Sequence, residues 1–409
     1  GLAGVLGQDG PKTTRRVRLR SVLVTCQVAL ALVVLISGGL FVRALQQAAS
    51  IDPGMDLSNV RIAFLDPTLI SMPQEGSRRF FEQLIERVQS LPEVESAGLA
   101  SRVPLSLGAR FFSNTALLQI PAWTPPSGQD GFRIESSRVS HGYFEALRIS
   151  IVEGRGFEPG DRQGAPLAAL VNQSFVDRFW PGQRGTGRQL QMEGRGLTVI
   201  GVVRDAKYRT LEEPPLPYLY LAWFQHTSGG ATLLARPRPG VSQESLAGSL
   251  RQSIRQLAPD LPIRDAASLS EHVEVSLLPQ RIASAVAVTL GLVALLLALV
   301  GLYGVVSYSV SQRTREIGVR MSLGARPRQV VRLVQRQGLL LVSAGILMGI
   351  PLAVGLSRLL ERFLMGLSPV DFTTYLTVSA LLAAVALMAG YLPARRAAQI
   401  DPVCALRAD

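Results

Sequence analysis

The sequence of 409 residues is poor in cysteine, histidine and lysine. Its two cysteines, Cys26 and Cys404, are too few for a disulfide framework or a cysteine-rich metal site. The three histidines, His141, His226 and His272, lie far apart, without the short spacing of metal ligands. We therefore interpret them as surface or structural residues and expect no metal site.

Short catalytic motifs are missing as well. The sequence contains no HExxH, GxSxG or CxxC. Neither lysine, Lys12 or Lys207, stands in the Gly-Lys-Ser/Thr context of an ATP-binding loop. A nucleophile triad built from distant residues stays open, because sequence spacing does not reveal one. We expect a chain that is not an enzyme, has no catalytic residues and binds no cofactor.

Charged residues are few, 18% of the chain, and they are unevenly placed. Residues 1–44 hold six basic and one acidic residue, and residues 281–409 hold 13 basic and five acidic residues. The large region 45–280 is almost neutral. A nucleic-acid-binding domain would carry its basic excess on the folded domain, so no nucleic-acid partner is predicted.

Long apolar runs explain where the basic residues sit. A membrane-spanning helix needs about 20 apolar residues, and four uncharged runs meet that length: 21–42, 282–312, 337–357 and 372–394. A fifth uncharged window, 214–235, contains three prolines near its start and would leave backbone groups unsatisfied in lipid. The first run is longer than the apolar core of a cleaved signal peptide, about 7–15 residues, so we interpret it as an anchor.

The basic residues fall on alternate sides of these four spans. By the positive-inside rule, the N-terminal segment 1–20, the loop 313–336 and the tail 395–409 are cytoplasmic. Residues 45–280 must then lie on the outer side of the membrane. The bilayer itself is the first predicted partner.

Two of the runs have further features. The second, with 31 residues, would reach roughly 46 Å as a helix, against a hydrocarbon core of roughly 30 Å. Either a tilt or a stalk that leaves the bilayer accommodates the excess. Gly345 and Gly349 form a GxxxG pair in the third run, which permits close helix packing.

The region 45–280 alternates between strand-like and helix-like patterns. In residues 132–139, polar and apolar residues alternate as in a strand. Asn172 is suited to cap a helix at 173–179, and Ser242 is suited to cap a helix that ends at Leu257. The predicted fold class is therefore an α-helical membrane protein with four transmembrane helices. A large extracytoplasmic α+β domain is inserted between the first and second helices.

The loop 313–336 is the most informative segment. Residues 312–323 read as a helix in which Glu316 and Arg320 form an i,i+4 acid–base pair. Gly324 suits the left-handed residue after a helix, and Pro327 suits the first turn of the next one. The residues alone leave open whether this helix lies on anionic lipids or docks on a protein.

The same segment closely resembles the cytoplasmic loop of FtsX-like permeases of the MacB type, with the pattern R-x-x-E-I-G-[IV]-R-x-[AS]-L-G-A. The matching residues are Arg313, Glu316, Ile317, Gly318, Arg320, Leu323, Gly324 and Ala325. The tail from Pro393 to Arg407 resembles the family's ending, and the region 45–280 resembles its MacB-type periplasmic core domain. The chain looks most like one half of an acidobacterial duplicated orphan permease, which would make it the C-terminal half of a longer polypeptide.

The resemblance implies a permease subunit of an ABC transporter in the bacterial inner membrane. The loop would form a coupling helix on a separate ATPase, which uses the ATP. A second permease half, from a homodimer or a duplicated chain, and a periplasmic adaptor would complete the assembly. The ATPase-docking residues would be Arg313, Glu316, Ile317, Arg320, Leu323, Gly324 and Ala325.

Two other functions fit the sequence. An FtsX-like transmitter would regulate a periplasmic cell-wall hydrolase and should bind that enzyme. A membrane-anchored enzyme would carry its site in residues 45–280 and should turn over a substrate without ATP. The leading hypothesis remains a permease that exports or extracts a substrate by mechanotransmission.

Overall fold

The computed structural model describes residues 11–106, 114–125, 128–226, 229–264, 268–276, 278–312, 319, 321, 326–360, 368 and 370–397. The chain forms two compact units. We call Gly1–Ser50 with Pro279–Asp409 the membrane unit, and Ile51–Leu278 the α+β domain.

The described helices and strands are as follows. The helices are α1 (Pro11–Ser50), α2 (Gln74–Gln89), α3 (Tyr143–Ala146), α4 (Gln173–Phe179), α5 (Gln243–Leu257), α6 (Leu269–Ser276), α7 (Leu278–Gln312), α8 (Pro327–Leu359) and α9 (Phe372–Ala397). The strands are β1 (Arg61–Leu65), β2 (Val94–Ala100), β3 (Thr115–Gln119), β4 (Phe132–Val139), β5 (Ile151–Gly154), β6 (Ala168–Asn172), β7 (Gln189–Met192), β8 (Arg195–Val203), β9 (Tyr218–Ala222) and β10 (Ala231–Pro237).

Four of these helices, α1, α7, α8 and α9, are long and apolar enough to cross a membrane. The prediction of four membrane-spanning helices, with an α+β domain inserted between the first and the second, is confirmed. The helices α1 and α8 extend beyond the apolar runs 21–42 and 337–357 at both ends. Hydropathy marks only the part of a helix that suits lipid, whereas its backbone hydrogen bonds continue into polar sequence.

Helix starts follow local chemistry that the sequence reveals. The side chain of Asn172 accepts a hydrogen bond from the Phe175 backbone N–H at 3.1 Å, which caps α4. Ser242 caps α5 in the same way. The helix α8 begins with Pro327, and the Arg326 backbone N–H donates to the Gln329 side chain at 2.9 Å. These predicted caps and the predicted proline are confirmed.

The strands of the α+β domain form one sheet that closes on itself in part. The order is β1-β10-β2-β4-β3-β7-β8-β6-β9, and β9 also pairs in parallel with β4. Six strands therefore form a ring, and β1, β10 and β2 extend from it as a three-stranded wing. The tenth strand, β5, pairs antiparallel with β8 of the ring. The helices α2 and α5 bury their apolar faces in the wing's core, and α4 packs in the core of the ring.

Four strands, β2, β3, β5 and β7, have no clear strand pattern in the sequence. The strand β2 has the sequence VESAGLA, in which Glu95, Ser96 and Gly98 interrupt the alternation of apolar and polar residues. Gly98 lies there because α3 crosses the strand closely: a Cβ atom would lie 2.5 Å from the Tyr143 nitrogen. The strands β5 and β7 have only four residues each, too few for a period to show.

In the membrane unit, α1 is the central helix. In its most apolar stretch 61% of the residues are buried inside the protein, against 17% in α7, 22% in α8 and 33% in α9. The three other helices pack around α1 and turn their remaining apolar surfaces outward. Mean hydropathy is highest in α7, at 2.7 against 2.4 in α1, so hydropathy did not predict this central position.

Candidate functional site

The residues predicted to dock on an ATPase lie outside the described residues. They are Arg313, Glu316, Ile317, Arg320, Leu323, Gly324 and Ala325. Their docking role therefore stays a prediction. The structure describes the helices on either side: α7 ends at Gln312, and α8 begins at Pro327.

The base of this loop is held together by contacts between α7 and α8. The Ser309 hydroxyl donates to the Gln337 side-chain oxygen at 2.9 Å. Val330 is buried against Val310 and against Met321 of the loop. A movement of the loop would therefore be shared by both helices rather than absorbed at one of them.

The helix α7 connects this loop to the α+β domain without a break. It has 35 residues, a length of roughly 52 Å at 1.5 Å per residue, against a hydrocarbon core of roughly 30 Å. It starts at Leu278, the last residue of the α+β domain, and ends where the loop begins. The helix therefore runs from the last residue of the α+β domain to the residue before the loop.

The GxxxG pair lies at the contact between α8 and α1. A Cβ atom on Gly345 would lie 2.7 Å from Val28 Cγ1, and one on Gly349 would lie 2.7 Å from Leu32 Cδ2. Side chains at these positions would separate the two helices. The close packing predicted from this motif is confirmed.

Glycines and one ion pair also fix α1 against α7 and α9. A Cβ atom on Gly291 would lie 2.7 Å from Leu35 Cδ2 of α1. Arg43, directly after the apolar run of α1, forms an ion pair with Asp371. Asp371 also accepts a hydrogen bond from the Thr374 backbone N–H at 2.8 Å, at the start of α9. These contacts bind α1 to both neighbours.

In the α+β domain, a buried arginine holds the segment that follows α1. Arg236 of β10 is 2% exposed. Its Nε donates to the Ala146 carbonyl at 2.8 Å, its Nη1 to the Asp56 carboxylate at 3.0 Å and the Ser58 carbonyl at 3.2 Å, and its Nη2 to the Asp56 carbonyl at 2.9 Å. We call Arg236 with Asp56 and Ser58 the arginine clamp. It ties the first residues of the domain to a central strand.

The electrostatics of the clamp follow from burial and charge. Burial lowers the pKa of Arg236, and the charge of Asp56 opposes that shift. Burial by itself would raise the pKa of Asp56, but hydrogen bonds from Ser58 and the charges of Arg236 and Arg148 outweigh it, so this pKa is lowered. Both groups are therefore charged at neutral pH. Arg148 lies 3.5 Å from the same carboxylate, but its side chain is 56% exposed.

The segments that enter and leave the α+β domain run side by side. The Leu269 backbone N–H donates to the Val60 carbonyl at 2.7 Å. Phe64 and Arg264 exchange backbone hydrogen bonds of 3.0 Å and 3.3 Å. A displacement at either end of the domain therefore acts on both segments.

Sequence reasoning missed the clamp, although one signal for it exists. The strand β10 reads ATLLARP, and every one of its residues is buried. A lone arginine in such a strand predicts a buried anionic partner, because an unpaired buried charge is very costly. The identity of the partner was not predictable, since Asp56 is 180 residues away in the chain.

Of the three histidines, His141 has a described hydrogen-bond contact. His141 Nε2 lies 3.3 Å from the Gln89 side-chain oxygen. Burial lowers the pKa of His141 and of His226. Within the described residues, no group of three His, Cys, Asp or Glu side chains could hold a metal ion.

We expect the arginine clamp to weaken in acid. Because the pKa of Asp56 is lowered by folding, its carboxylate stabilises the domain above the unfolded pKa of about 3.9 and loses that effect as the pH falls through the lower folded pKa. Asp56→Asn should cost about 1–3 kcal/mol at pH 7 and much less in acid. Tryptophan fluorescence of the full chain in detergent measures this, since Trp123, Trp180 and Trp223 all lie in the α+β domain. If Asp56→Asn lowered the free energy of unfolding equally at pH 7 and in acid, the predicted weakening of the clamp in acid would be wrong.

Comparisons with known proteins agree with this architecture. Residues 21–253, more than half of the chain, match the MacB-like periplasmic core domain, and residues 288–402 match the FtsX-like permease C-terminal family. The macrolide export ATP-binding/permease protein MacB of Rhodospirillum rubrum is 33% identical over 272 residues, which cover 63% of this chain and 40% of that protein. MacB of Mannheimia succiniciproducens is 23% identical over 302 residues, with 69% and 46% covered.

Among solved structures, the periplasmic region of MacB from Actinobacillus actinomycetemcomitans is 14% identical, with a TM-score of 0.37, and the match covers 56% of this chain and 98% of that one. The chain spans less than half the length of the two MacB relatives. The matches to the two family models favour the permease hypothesis over the regulator and the enzyme. With both family domains matched, one of them over more than half of its length, the chain belongs to the ABC transporter permeases of the MacB and FtsX type.

Proposed function

We propose that this chain is one permease half that transmits the ATP-driven closure of a separate ATPase to its α+β domain. The closure would drive the export or extraction of a substrate. The observation that carries the proposal is the unbroken helix α7, which leads from the α+β domain to the loop 313–336. Within the described residues, the arginine clamp supplies a firm attachment for the segment that follows α1.

The proposal assigns docking on the ATPase to Arg313, Glu316, Ile317, Arg320, Leu323, Gly324 and Ala325. The charged pair would fix the register of the helix on the ATPase surface, and Gly324 would form the corner after it. Contacts between Ser309 and Gln337 support this assignment, because they would distribute a force from the loop over α7 and α8.

The proposed orientation places the loop 313–336 and both ends of the chain in the cytoplasm of a bacterium. Residues 45–280 are then periplasmic. The excess of arginine on that side supports this orientation. A second permease half, from another copy or from a duplicated chain, and a periplasmic adaptor are the proposed protein partners.

Reversal of the charged pair tests the docking assignment. The double variant Glu316→Arg/Arg320→Glu should lose the co-purifying ATPase and its ATP hydrolysis when the chain is purified in detergent from membranes of its native host. The expected effect is at least about tenfold, since close charge pairs at an interface contribute several kcal/mol. Bound ATPase on gels and phosphate release measure it.

The control is a charge reversal of the same kind at a distant place. Glu75 and Arg79 have the same sequence spacing and form an exposed ion pair, at 3.0 Å on α2 of the α+β domain. Glu75→Arg/Arg79→Glu should leave the ATPase bound. Equal retention in both double variants would contradict the docking assignment, and absence of any ATPase from the folded wild-type protein would contradict the proposed function.

A further inference from the structure

A groove opens in the membrane unit between the N-terminal half of α1 and the C-terminal half of α7. Its volume is about 350 Å³. Leu23, Val24, Val300 and Val305 supply apolar walls, and Gly301 and Gly304 supply a floor without side chains. The two helices are in close contact further along, where Gly291 meets Leu35. The groove is therefore a local divergence of two packed helices, open along the apolar surface.

The mouth of the groove carries a positive charge. The Arg20 guanidinium lies 4.7 Å from the centre of the Tyr308 ring. This stacking orients the guanidinium and leaves its N–H edge for other partners. Arg20 is exposed and donates no hydrogen bond to the residues that the structure describes. In sequence, the same helix carries Lys12, Arg15, Arg16 and Arg18 just before it.

A polar group lies deeper in the same groove. Gln27 is two helical turns from Arg20, roughly 10 Å along α1. Its Oε1 is buried without a hydrogen-bond partner among the described residues. It lies against Gly301, where a Cβ atom would come within 2.7 Å of it. A glutamine amide offers a donor and an acceptor, so it suits ester and hydroxyl groups at this depth.

We propose that this groove binds an anionic phospholipid. Arg20 binds the phosphate, Gln27 contacts the glycerol region, and one acyl chain lies over Gly301 and Gly304. Along the groove, a cation is followed by an amide and then by an apolar surface. This order matches the phosphate, the glycerol region and the acyl chain of a phospholipid. Arg20 at the mouth, and the basic residues that precede it in the sequence, favour an anionic headgroup over a zwitterionic one.

Native mass spectrometry of the full chain in detergent tests the proposal. The probes are palmitoyl-oleoyl phosphatidylglycerol and phosphatidylcholine with the same chains. We expect retention of the anionic lipid to exceed that of the zwitterionic lipid by about tenfold. This is the ratio that one hydrogen bond to a charged group produces. Arg20→Gln should remove this preference, and Gly301→Leu should reduce retention of both lipids.

The controls separate this groove from general effects. Arg328→Gln removes an exposed charge from α8 and should leave the preference intact. Water-soluble glycerol phosphate should not compete, because it cannot fill the apolar floor. Equal loss in Arg20→Gln and Arg328→Gln, or competition by glycerol phosphate, would overturn the proposal. A third outcome would also overturn it: Gly301→Leu converts a dimer into a monomer and leaves lipid retention unchanged. The groove would then be occupied by a second copy of the chain.

Discussion

Arg236→Met should lower the free energy of unfolding of the α+β domain by about 3–5 kcal/mol. The methionine keeps most of the volume of the side chain but removes all of its donors. The carbonyls of Ala146, Ser58 and Asp56 would lose the guanidinium donors, and the Asp56 carboxylate would keep Ser58 and the exposed Arg148 as partners. The buried Ala146 carbonyl left without its donor, and a partly buried carboxylate left without its buried cation, account for the size of the effect.

Urea unfolding of the full chain in detergent measures this loss. Trp180 and Trp223 are buried, and no tryptophan lies in the membrane unit, so the fluorescence reports the α+β domain alone. The control is Arg148→Ala, which removes the exposed cation at 3.5 Å from the same carboxylate. Exposed ion pairs contribute about 0–1 kcal/mol, so this variant should be nearly neutral.

The pair Arg236 and Asp56 can be separated from the other contacts by a double-variant cycle. If Arg236→Met and Asp56→Asn act through one interaction, the combined variant should be much less destabilised than the sum of the two single variants. Additive losses would contradict the clamp as a unit. A loss in Arg236→Met no larger than that in Arg148→Ala would show that burial of the cation contributes nothing to the domain.

The parts of the fold that sequence predicted are those set by local chemistry. Caps at Asn172 and Ser242 depend on a side chain and a backbone group three residues away. The apolar runs depend on composition alone. Both can be read without knowledge of the tertiary structure.

The parts that sequence did not predict depend on distant partners. The ring of six strands closes through the parallel pairing of β4 with β9, in which Glu135 pairs with Tyr218 from a distant part of the chain. The clamp likewise joins two residues that are far apart in the sequence, Asp56 and Arg236. Strands such as β7, with four residues, take their shape from neighbours rather than from their own sequence. The docking residues themselves rest on the family pattern, because they lie outside the described residues.

The sequence contains one indication that α1 is central: glycines in the other helices, which allow α1 to approach closely. Gly345 and Gly349 lie one turn apart on α8, and their missing side chains are filled by Val28 and Leu32 of α1. The motif predicted close packing but not the partner helix. The partner follows from burial, since α1 alone buries more than half of its apolar stretch.

Gly349→Leu should destabilise the membrane unit and leave the α+β domain unaffected. A Cβ atom there would lie 2.7 Å from Leu32 Cδ2 and 3.0 Å from the Ala29 carbonyl oxygen. Because the second neighbour is backbone, a rotamer change cannot relieve the clash, and α8 would have to move away from α1. Overpacking of this kind costs about 1–3 kcal/mol, which corresponds to a fall of about 5–10 °C in the temperature at which the detergent-solubilised protein aggregates.

Gly355→Leu is the matched control on the same helix. No heavy atom lies within 4 Å of a Cβ atom at Gly355, so leucine there adds the same volume and the same helix propensity without a clash. Size-exclusion chromatography after heating should separate the two variants, whereas their urea unfolding curves by tryptophan fluorescence should coincide. If Gly355→Leu aggregates as early as Gly349→Leu, the effect comes from surface hydrophobicity, and the contact between α8 and α1 does not hold the membrane unit together.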